Sequence, residues 1–422
     1  MNIRMSIILS TGIIMARYGY DQMNLTLWLI LLLVMTSMAI VLRKWIQSQC
    51  ILFYICLFLL GGLLTSYQEC RNRKPVTYFT MDELSEQNRF LTTAQERRAE
   101  IEQKLKGLGI ENEDFEVIAA MAMGDKAALD KDTKEVYSVA GASHVLAVSG
   151  LHISIIFQLL IMLLGGNRRH IFVILSALVA IWMYVLFIGM PASAVRSATM
   201  LSVYGFVTMT RRNKNSLRSL SIAFTIMLLC NPLYLFDLSF QMSFAAVGSI
   251  IVFLPLLSSL YHPTHRLSQW IWGMLCVSAA AQIGTLPLIT YYFGRISCYS
   301  LLTTFIAIPA AMGILYLCCM LMLMSPFLLL SPTVSLFSWL ITWVAKALVV
   351  ITHFANTAFH LTSLAPGASI DGIHLPLPIL FIIYAALGLV YAGWIKMKRI
   401  RNKMARSQED FSPENALFTN YR

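Results

Sequence analysis

The sequence predicts an all-α polytopic membrane protein, with about 11–12 transmembrane helices and a short external helical segment. Of its 422 residues, 58% are hydrophobic and only 13% are charged, and the mean hydropathy is +0.68. Soluble domains carry about 25% charged residues. A chain this apolar has too few polar residues to form a surface exposed to water, so it requires lipid. Its length suffices for roughly ten to twelve spans of about 20 residues each.

Twelve apolar stretches support this prediction. The first, 5–19, is too short to span comfortably, and Arg17 interrupts its end. Because no small-residue cleavage site follows it, we interpret this stretch as a retained first span and not as a removed signal peptide. The other stretches are 24–42, 49–65, 144–164, 171–189, 192–210, 219–236, 238–257, 269–290, 299–324, 328–350 and 377–395.

The basic residues predict the orientation of these spans. Cytoplasmic loops of membrane proteins collect Lys and Arg. If both termini are cytoplasmic, one face receives nearly every basic cluster, and Arg295 is the exception among the short outer loops. The clusters on the cytoplasmic face are Arg43-Lys44, Arg168-Arg169, Arg211 to Arg218, Arg266 and the run from Lys396 to Arg406.

Charge and cysteine content exclude several classes of function. A net charge of +11 would indicate nucleic acid binding in a soluble protein, but here membrane orientation accounts for most of it. The eight cysteines form no CxxC pair and no metal-ligand spacing. We expect most of them to be buried free thiols, namely Cys50, Cys56, Cys230, Cys276, Cys318 and Cys319. No metal and no cofactor is expected.

The long polar segment 66–143 falls on the outer side in this topology. Within it, 93–106 is charged and helix-prone, and Thr93 followed by Glu96 has the form of a capping box. The segment is either an amphipathic helix on the membrane surface or a vestibule that collects substrate. The predicted domains are 1–65, N-terminal membrane helices; 66–114, an external polar or amphipathic segment; 115–396, a transmembrane channel domain; and 397–422, a basic cytoplasmic tail.

Polar residues are concentrated where the span at 144–164 begins. His144, Ser149, Gly150 and His152 lie within nine residues of apolar chain, and polar groups at membrane depth usually face a protein-lined or watery interior. On one regular helix, Ser149 and His152 share a face, whereas the two histidines are about 80° and roughly 12 Å apart. The histidines can then line one cavity but cannot bind one metal. The alternative is interhelical hydrogen bonding.

A second concentration lies where Gly189 and Pro191 break the apolar run between two spans. Arg196 follows in the first turns of the next helix, where it must snorkel or meet a carboxylate, a carbonyl or a phosphate. At the outer face of a translocator a lone arginine is a candidate phosphate contact. The alternative is a structural ion pair, and Asp237 is then its predicted partner.

Two further segments combine helix breakers with polar residues. Pro232 interrupts one helix shortly before Asp237 and Gln241. Pro287 follows Gln282 near the outer end of another predicted span, and we expect it to break that helix too. Broken helices of this kind mark substrate paths in transporters, so these side chains are predicted to line a path.

These segments resemble the ComEC-type competence membrane channel family, over roughly residues 115–315. The resemblance is specific because several separated motifs occur in the family's order. The motifs are Gly124-Asp125, Ser143-His144, Ser149 to His152, Pro191 to Arg196, Phe240 to Phe244, Leu286-Pro287 and Phe293-Gly294. The resemblance implies a channel in the bacterial plasma (inner) membrane that brings in single-stranded DNA during natural transformation. The expected partners are therefore single-stranded DNA, from the resemblance, and the lipid bilayer, from the composition. Separate nuclease or DNA-binding competence proteins and an oligomer are left open as further partners.

The chain departs from the family pattern in three respects. It contains no HxHxDH motif, so no metallo-β-lactamase-like domain is expected in this sequence and a nuclease role has no support. Segment 66–143 is too short and too helix-like for a full OB domain. Thr303-Thr304 stand where family chains often read Ala-Asn.

The leading hypothesis is a DNA-conducting channel without enzymatic activity. A polar path with positive charge and stacking surfaces suits a single strand, and Tyr184, Tyr204, Tyr291 and Tyr292 are candidate stacking residues. No GxxxxGK[ST] motif is present, so the driving force must come from partners or from processing inside the cell. The alternatives are a small-solute or ion transporter and an intramembrane serine hydrolase that uses Ser149 with His144 or His152; the segment Gly141 to His144 faintly resembles the serine segment of rhomboid proteases.

Overall fold

A computed structural model describes residues 3–18, 25–41, 46–73, 100, 103, 107, 110, 112–125, 129–165, 171–209, 216–330 and 335–410. The described chain is helical, which confirms the predicted fold class, apart from two three-residue strands that pair with each other. Its first helices are α1 (Ile3–Tyr18), α2 (Leu25–Val41), α3 (Ile46–Arg73), α4 (Asn112–Ile118), a π-helical turn (Ala119–Met123), α5 (Lys131–Val139), α6 (Ser143–Leu146) and α7 (Gly150–Leu163). The chain continues through α8 (Ile171–Phe187), α9 (Ala192–Met209), α10 (Ser216–Cys230), a 3₁₀ turn (Pro232–Phe236), α11 (Leu238–Ser258), α12 (Arg266–Phe293), β1 (Arg295–Ser297), α13 (Ser300–Leu330), α14 (Ser335–Ser363), β2 (Ser369–Asp371) and α15 (Leu377–Asp410).

Six of the described helices are long and apolar enough to cross a membrane, so the chain is a multi-pass membrane protein. They contain Cys50–Asn72, Leu238–Ser258, Arg266–Phe293, Ser300–Met322, Trp339–Ser363 and Leu377–Ile400. Four shorter apolar helices are Leu25–Val41, Gly150–Leu163, Ile171–Phe187 and Ser216–Cys230. The higher predicted number of spans stays a prediction.

The helices differ most from the predicted apolar stretches at their ends, where several of them continue into polar residues. α3 continues to Arg73 and α15 to Asp410, so the predicted domain boundaries 65/66 and 396/397 fall inside helices. A helix of 28 residues, such as α3, is about 42 Å long, against about 30 Å of hydrocarbon. Polar ends of such helices extend beyond the apolar layer without leaving the helical conformation.

Glycines allow α3 to approach both α1 and α2 closely. A side chain at Gly61 would lie 2.6 Å from the carbonyl oxygen of Leu9, and one at Gly12 would meet the backbone of Phe58. Gly62 lies against the ring of Trp28, which is almost fully buried. Small residues that permit close backbone approach are the usual means of packing helices in lipid. Beside this contact, Arg17 Nη1 donates to Glu69 Oε1 at 2.7 Å.

Part of the polar segment 66–143 is buried against other helices, while its predicted position on the outer side stays a prediction. Ile110 and residues 117–123 are at most 5% exposed and pack with α13 and α14 around Ala311 and Leu348. The apolar run 115–123 is small and has no charge after Glu116, so it can enter a helical core without a desolvation cost. The stretch 93–106, including the predicted capping box, lies almost wholly outside the described residues.

The chain divides into two compact units. Unit 1 comprises Met1–Phe244 and Ser297–Ser369, and unit 2 comprises Ala245–Ile296 and Ile370–Arg422. The chain passes between them within α11, β1 and β2.

Candidate functional site

The predicted span at 144–164 is broken, and this break begins the candidate site. α6 ends at Leu146, and α7 begins only at Gly150. The backbone N–H of Ser149 donates to Nδ1 of His152 at 3.0 Å, and Ser149 Oγ lies 3.3 Å from the same nitrogen. This arrangement has the form of a capping box, which supplies partners to the open end of α7.

The break corrects the prediction that both histidines lie on one regular helix. His152 is fully buried and its Nε2 has no hydrogen-bond partner, whereas His144, on α6, is exposed. Ser149 and His152 come directly after the break at Ala147 and Val148. Polar side chains at such a position can cap the helix that follows or line its face. Sequence spacing does not distinguish these two roles.

The break between α8 and α9 lies where Gly189 and Pro191 predict it. Gly189 and Met190 both have positive φ, and Pro191 directly precedes the first residue of α9. Ser193 Oγ donates to the carbonyl oxygen of Val148 at 2.5 Å, which joins the start of α9 to the break before α7. α7 and α9 are also in contact at Gly150, where a side chain would lie 2.9 Å from Ser197 Oγ.

A third break reaches the same place. Gly124 ends the π-helical turn in a left-handed conformation, and a side chain there would lie 3.4 Å from Val148 and 3.7 Å from Ile188. π-helical turns are rare and occur often at functional sites. Tyr184 Oη donates to the carbonyl oxygen of Ala122, in the same turn, at 2.8 Å. We call the meeting of these breaks with the start of α11 the junction; it contains Gly124, 147–152, 188–197 and 237–241.

Arg196 is the buried cation of the junction. Its Nη1 lies 3.4 Å from Asp237 Oδ2, and its Nη2 donates to Ser239 Oγ. The side chain of Arg196 is 3% exposed and that of Asp237 is 42% exposed. The predicted ion pair is thus confirmed, while Nε of Arg196 is buried without a partner.

Asp237 and Gln241 also hold the start of α11. Asp237 Oδ2 accepts the backbone N–H of Phe240 at 3.1 Å, as a helix-capping carboxylate does. Gln241 Nε2 donates to the carbonyl oxygen of Leu235 at 3.0 Å, within the 3₁₀ turn that Pro232 begins. Pro232 therefore interrupts the preceding helix as predicted, and Asn231 Oδ1 caps the turn through Leu233 N–H at 3.0 Å.

The aromatic residues of the motif Phe240 to Phe244 pack in the core of unit 1. The ring centroids of Phe240 and Phe244 are 4.5 Å apart, and Phe224 from α10 lies within 5.4 Å of both. Tyr234 stacks on Phe240 at 6.2 Å. This cluster fixes the position of α11 next to Arg196, a role that sequence spacing did not reveal.

Gln282 and Pro287 belong to unit 2, and the prediction of a helix break there is wrong. α12 runs without interruption from Arg266 to Phe293 with Pro287 inside it, and Gln282 is half-buried. Gly284 serves close packing, since a side chain there would lie 2.5 Å from Ser249 Cβ. The carbonyl oxygen of Gly284 accepts a hydrogen bond from Tyr384 Oη at 2.6 Å. This bond lies next to the helical hydrogen bond that is missing because Pro287 has no N–H.

Arg295, the exception to the charge rule, has a local partner. Its Nε lies 2.5 Å from Asp371 Oδ1, and the two residues belong to the paired strands β1 and β2. Because Asp371 neutralises its charge, Arg295 can lie in a predicted outer loop although the other basic clusters are predicted on the cytoplasmic face.

A second polar cluster in unit 1 was missed by sequence reasoning. Asn356 of α14 accepts Tyr137 Oη at 2.6 Å and donates to Asp114 Oδ1 at 2.8 Å, and His353 Nδ1 lies 3.6 Å from Asp114 Oδ2. Burial raises the pKa of the Asp114 carboxyl, and His353 and Asn356 oppose this rise. Burial and the nearby carboxylates Asp114 and Glu113 raise the pKa of Tyr137. The members are up to 242 residues apart, so no local pattern could reveal them.

The residue at Thr303 also has a structural explanation. Thr303 is buried and its Oγ1 donates to the carbonyl oxygen of Ala140 at 2.8 Å, while Ser297 Oγ donates to that of Val139 at 2.9 Å. The two hydroxyls supply donors to carbonyls at the end of α5, which lack helical partners.

The cysteines are free thiols, but their burial differs from the prediction. Cys276 and Cys318 are buried, whereas Cys50 and Cys230 are exposed on the outer surfaces of apolar helices. A thiol behaves as a small apolar group and tolerates such a surface. Within the described residues, no three His, Cys, Asp or Glu side chains gather as a metal site would require.

The fold and the junction define a multi-pass helical membrane protein with a buried polar site at the meeting of broken helices. The chain belongs to the Competence protein family, whose model matches residues 121–397. It is 30% identical to ComE operon protein 3 of Bacillus subtilis over 252 residues, which are 57% of this chain and 30% of that protein. It is 24% identical to Recombination protein 2 of Haemophilus influenzae over 233 residues, 51% of this chain and 28% of that protein.

The chain therefore matches less than a third of the length of either curated relative. No solved structure matches the chain.

Proposed function

We propose that this protein is a channel in the bacterial plasma membrane that translocates single-stranded DNA into the cell during natural competence. The observation that carries the proposal is the buried Arg196, whose Nε has no partner, at the junction of broken helices. A buried cation with an unsatisfied donor is costly. Membership of the Competence protein family supports DNA as the substrate.

The chemistry of the junction suits an anion. α7, α9 and α11 all begin there, and the amino end of each helix carries partial positive charge. His152 Nε2 and Arg196 Nε are two buried nitrogens with no partner at the same junction. Such an arrangement favours a phosphate over a cation or a neutral solute.

The described conformation is closed around Arg196. The side chain of Arg196 is 3% exposed, while that of its partner Asp237 is 42% exposed and also caps α11. For a phosphate to reach Arg196, the start of α11 must move and Asp237 must leave the guanidinium. We therefore propose that phosphate replaces Asp237 as the partner of Arg196 during translocation.

The channel acts without covalent catalysis in this proposal. Ser149 lies near Nδ1 of His152, as a hydrolase requires, but that nitrogen accepts the Ser149 backbone N–H at 3.0 Å. A helix cap accounts for both contacts. Both termini are proposed to be cytoplasmic, on the distribution of basic residues. Single-stranded DNA and the lipid bilayer are the proposed partners, with separate nuclease or DNA-binding proteins and further copies of the chain.

The proposal is tested by uptake of labelled DNA in a deletion strain complemented with wild type, Arg196→Met or the double variant Arg196→Met with Asp237→Asn. Membrane levels of each protein are measured in parallel. We expect no uptake in the deletion, a large loss with Arg196→Met, and normal levels but no uptake with the neutral double variant. Normal uptake in the deletion strain overturns the channel, and altered solute accumulation there favours a small-solute transporter instead.

Restored uptake in the double variant would show that Arg196 serves only to pair with Asp237. That result overturns the phosphate contact while the deletion result still decides the channel.

A further inference from the structure

The exposed face of α14 carries polar residues in a heptad series. Trp339, Lys346, His353 and His360 follow one another at intervals of seven residues, and all four are exposed. Seven residues are nearly two helical turns, so successive members drift by only about 20°. The series extends over about 32 Å along the helix, which matches the hydrocarbon thickness of a bilayer. We call these four residues the α14 stripe.

The other sides of α14 have different environments. Its buried face, with Ala345, Leu348 and Phe359, packs in the core of unit 1. One residue after each basic member of the stripe stands an exposed apolar residue, namely Ala347, Phe354 and Leu361. Each of these lies about 100° around the helix from its neighbour and about 1.5 Å further along it. The exposed surface of α14 thus has a polar edge and an apolar edge, and Val350, which is 66% exposed, lies between them.

The polar edge is unsuited to lipid. Trp339–Ser363 is long and apolar enough to cross a membrane, and His353 lies two residues from its midpoint. The side chain of His353 is 75% exposed, and it pairs with Asp114 at 3.6 Å. Ionisable side chains near the centre of a membrane helix face a protein interior or a watery cavity, because lipid cannot solvate them. The adjacent Phe354, Ala347 and Leu361 suit lipid.

The chemistry of the stripe suits a single-stranded nucleic acid. α14 contains no Asp or Glu, and it contributes Lys346 and two histidines to one edge. The rings of Trp339 and Trp343 are 52–59% exposed and 5.9 Å apart, and Lys346 Nζ lies 5.4 Å from the Trp343 ring centroid. Single strands bind where cations meet phosphates and aromatic rings stack on bases.

We propose that the α14 stripe lines a water-filled passage and binds single-stranded DNA along its length. The proposal rests on the proposed function, since it assigns a second contact surface for the same substrate, apart from the junction. Lys346 and the histidines contact phosphates, and Trp339 and Trp343 stack on bases. The apolar edge contacts lipid or apolar protein surface.

Cysteine accessibility tests this assignment without depending on a loss of function. In an active variant whose eight native cysteines are replaced, single cysteines are introduced at Lys346, His353 and His360, with matched controls at Ala347, Phe354 and Leu361. Cells are treated with a charged, membrane-impermeant thiol reagent, with and without transforming DNA. We expect at least tenfold faster labelling at the stripe than at the paired controls, and slower labelling while DNA is being taken up.

Equal labelling rates within each pair would overturn the water-filled passage. Faster labelling that DNA does not slow would overturn DNA binding. Spontaneous disulfides between two copies of the chain at these positions would overturn the proposal in favour of a second copy on this face.

A functional comparison separates this proposal from the channel itself. The double variant Lys346→Gln with His360→Gln keeps the His353–Asp114 contact, and Ala347→Gln serves as its control. We expect DNA uptake to fall at least tenfold in the double variant and to stay near wild type in the control. Unchanged uptake in the double variant overturns the stripe while the channel stands, whereas normal uptake in the deletion strain removes the channel as well.

Discussion

The guanidinium of Arg196 and the carboxylate of Asp237, 41 residues apart in sequence, meet at 3.4 Å where α9 and α11 begin. The same carboxylate oxygen accepts the backbone N–H of Phe240 at 3.1 Å. One acidic group thus stabilises a buried cation and the first turn of a helix. The two functions can be separated by substitution, because asparagine removes the charge but keeps the cap, whereas alanine removes both.

Asp237→Ala is expected to destabilise the protein more than Asp237→Asn. Alanine removes both the ion pair and the cap, at a cost of about 2–4 kcal/mol for a partly exposed partner of a buried charge. Asparagine caps helices as well as aspartate does, so it loses only the charge that pairs with Arg196, at a cost of about 1–2 kcal/mol for this partly exposed partner. The measurement is the thermal unfolding midpoint of the purified protein in detergent. Equal midpoints for the two variants would show that the capping bond contributes nothing.

Ser149→Ala is expected to retain most DNA uptake. It removes one capping hydroxyl, worth about 1 kcal/mol, and leaves the backbone bond to His152 in place. Ser149→Thr keeps a capping hydroxyl and serves as the control. Labelled DNA uptake and membrane protein level are measured together. Complete loss of uptake by the alanine variant at a normal protein level, with a hydrolytic activity lost in parallel, would instead indicate a nucleophilic serine.

Gly284→Ala and Gly273→Ala form a matched pair within α12. A side chain at Gly284 would lie 2.6 Å from the carbonyl oxygen of Ala245 and 2.5 Å from Ser249 Cβ, whereas nothing lies within 4 Å at Gly273. We expect the first substitution to lower the unfolding midpoint and the amount of folded protein. The second should be neutral or stabilising by up to about 1 kcal/mol, because alanine is the better helix former. A reversed order would mean that α11 and α12 do not pack at Gly284.

The pH dependence of stability should report on Asp114. Burial raises the pKa of its carboxyl, so the folded state binds the proton more readily than the unfolded state. Its contribution is therefore favourable below the ordinary aspartate pKa of about 3.9 and is lost as the pH rises through the raised value. Asp114→Asn, which keeps an acceptor for Asn356, should gain stability relative to wild type as the pH increases over this window. The measurement is the difference in unfolding midpoint from pH 3.5 upward; a difference that shrinks with pH would contradict the assignment.

The sequence was informative where one residue type has few physical options. Arg196 in an apolar helix required a partner, and Asp237 was the acid at a similar predicted depth, so their pairing could be predicted. Gly189 and Pro191 likewise had to interrupt the chain, and Met190 between them has positive φ.

The sequence was uninformative where one residue type serves two structural purposes. Glycine and proline interrupt α8 and α9 but lie inside α12, where Gly284 provides packing space and Tyr384 donates to its carbonyl. Spacing predicts His144 and His152 on one helix, because the break at 147–149 contains no proline. The cluster of Asp114, Tyr137 and Asn356 depends on contacts between distant segments, which a single sequence does not encode locally.

The bond between Arg17 and Glu69 joins the last turn of α1 to the last turns of α3. α1 and α3 therefore point the same way, and α2, which connects them in the chain, runs in the opposite direction. Tyr18 and Arg73 then lie at one end of this group of three helices, and Val41 and Ile46 lie at the other end. Any arrangement of these helices in a membrane must keep the two ends apart, whatever the count of basic residues.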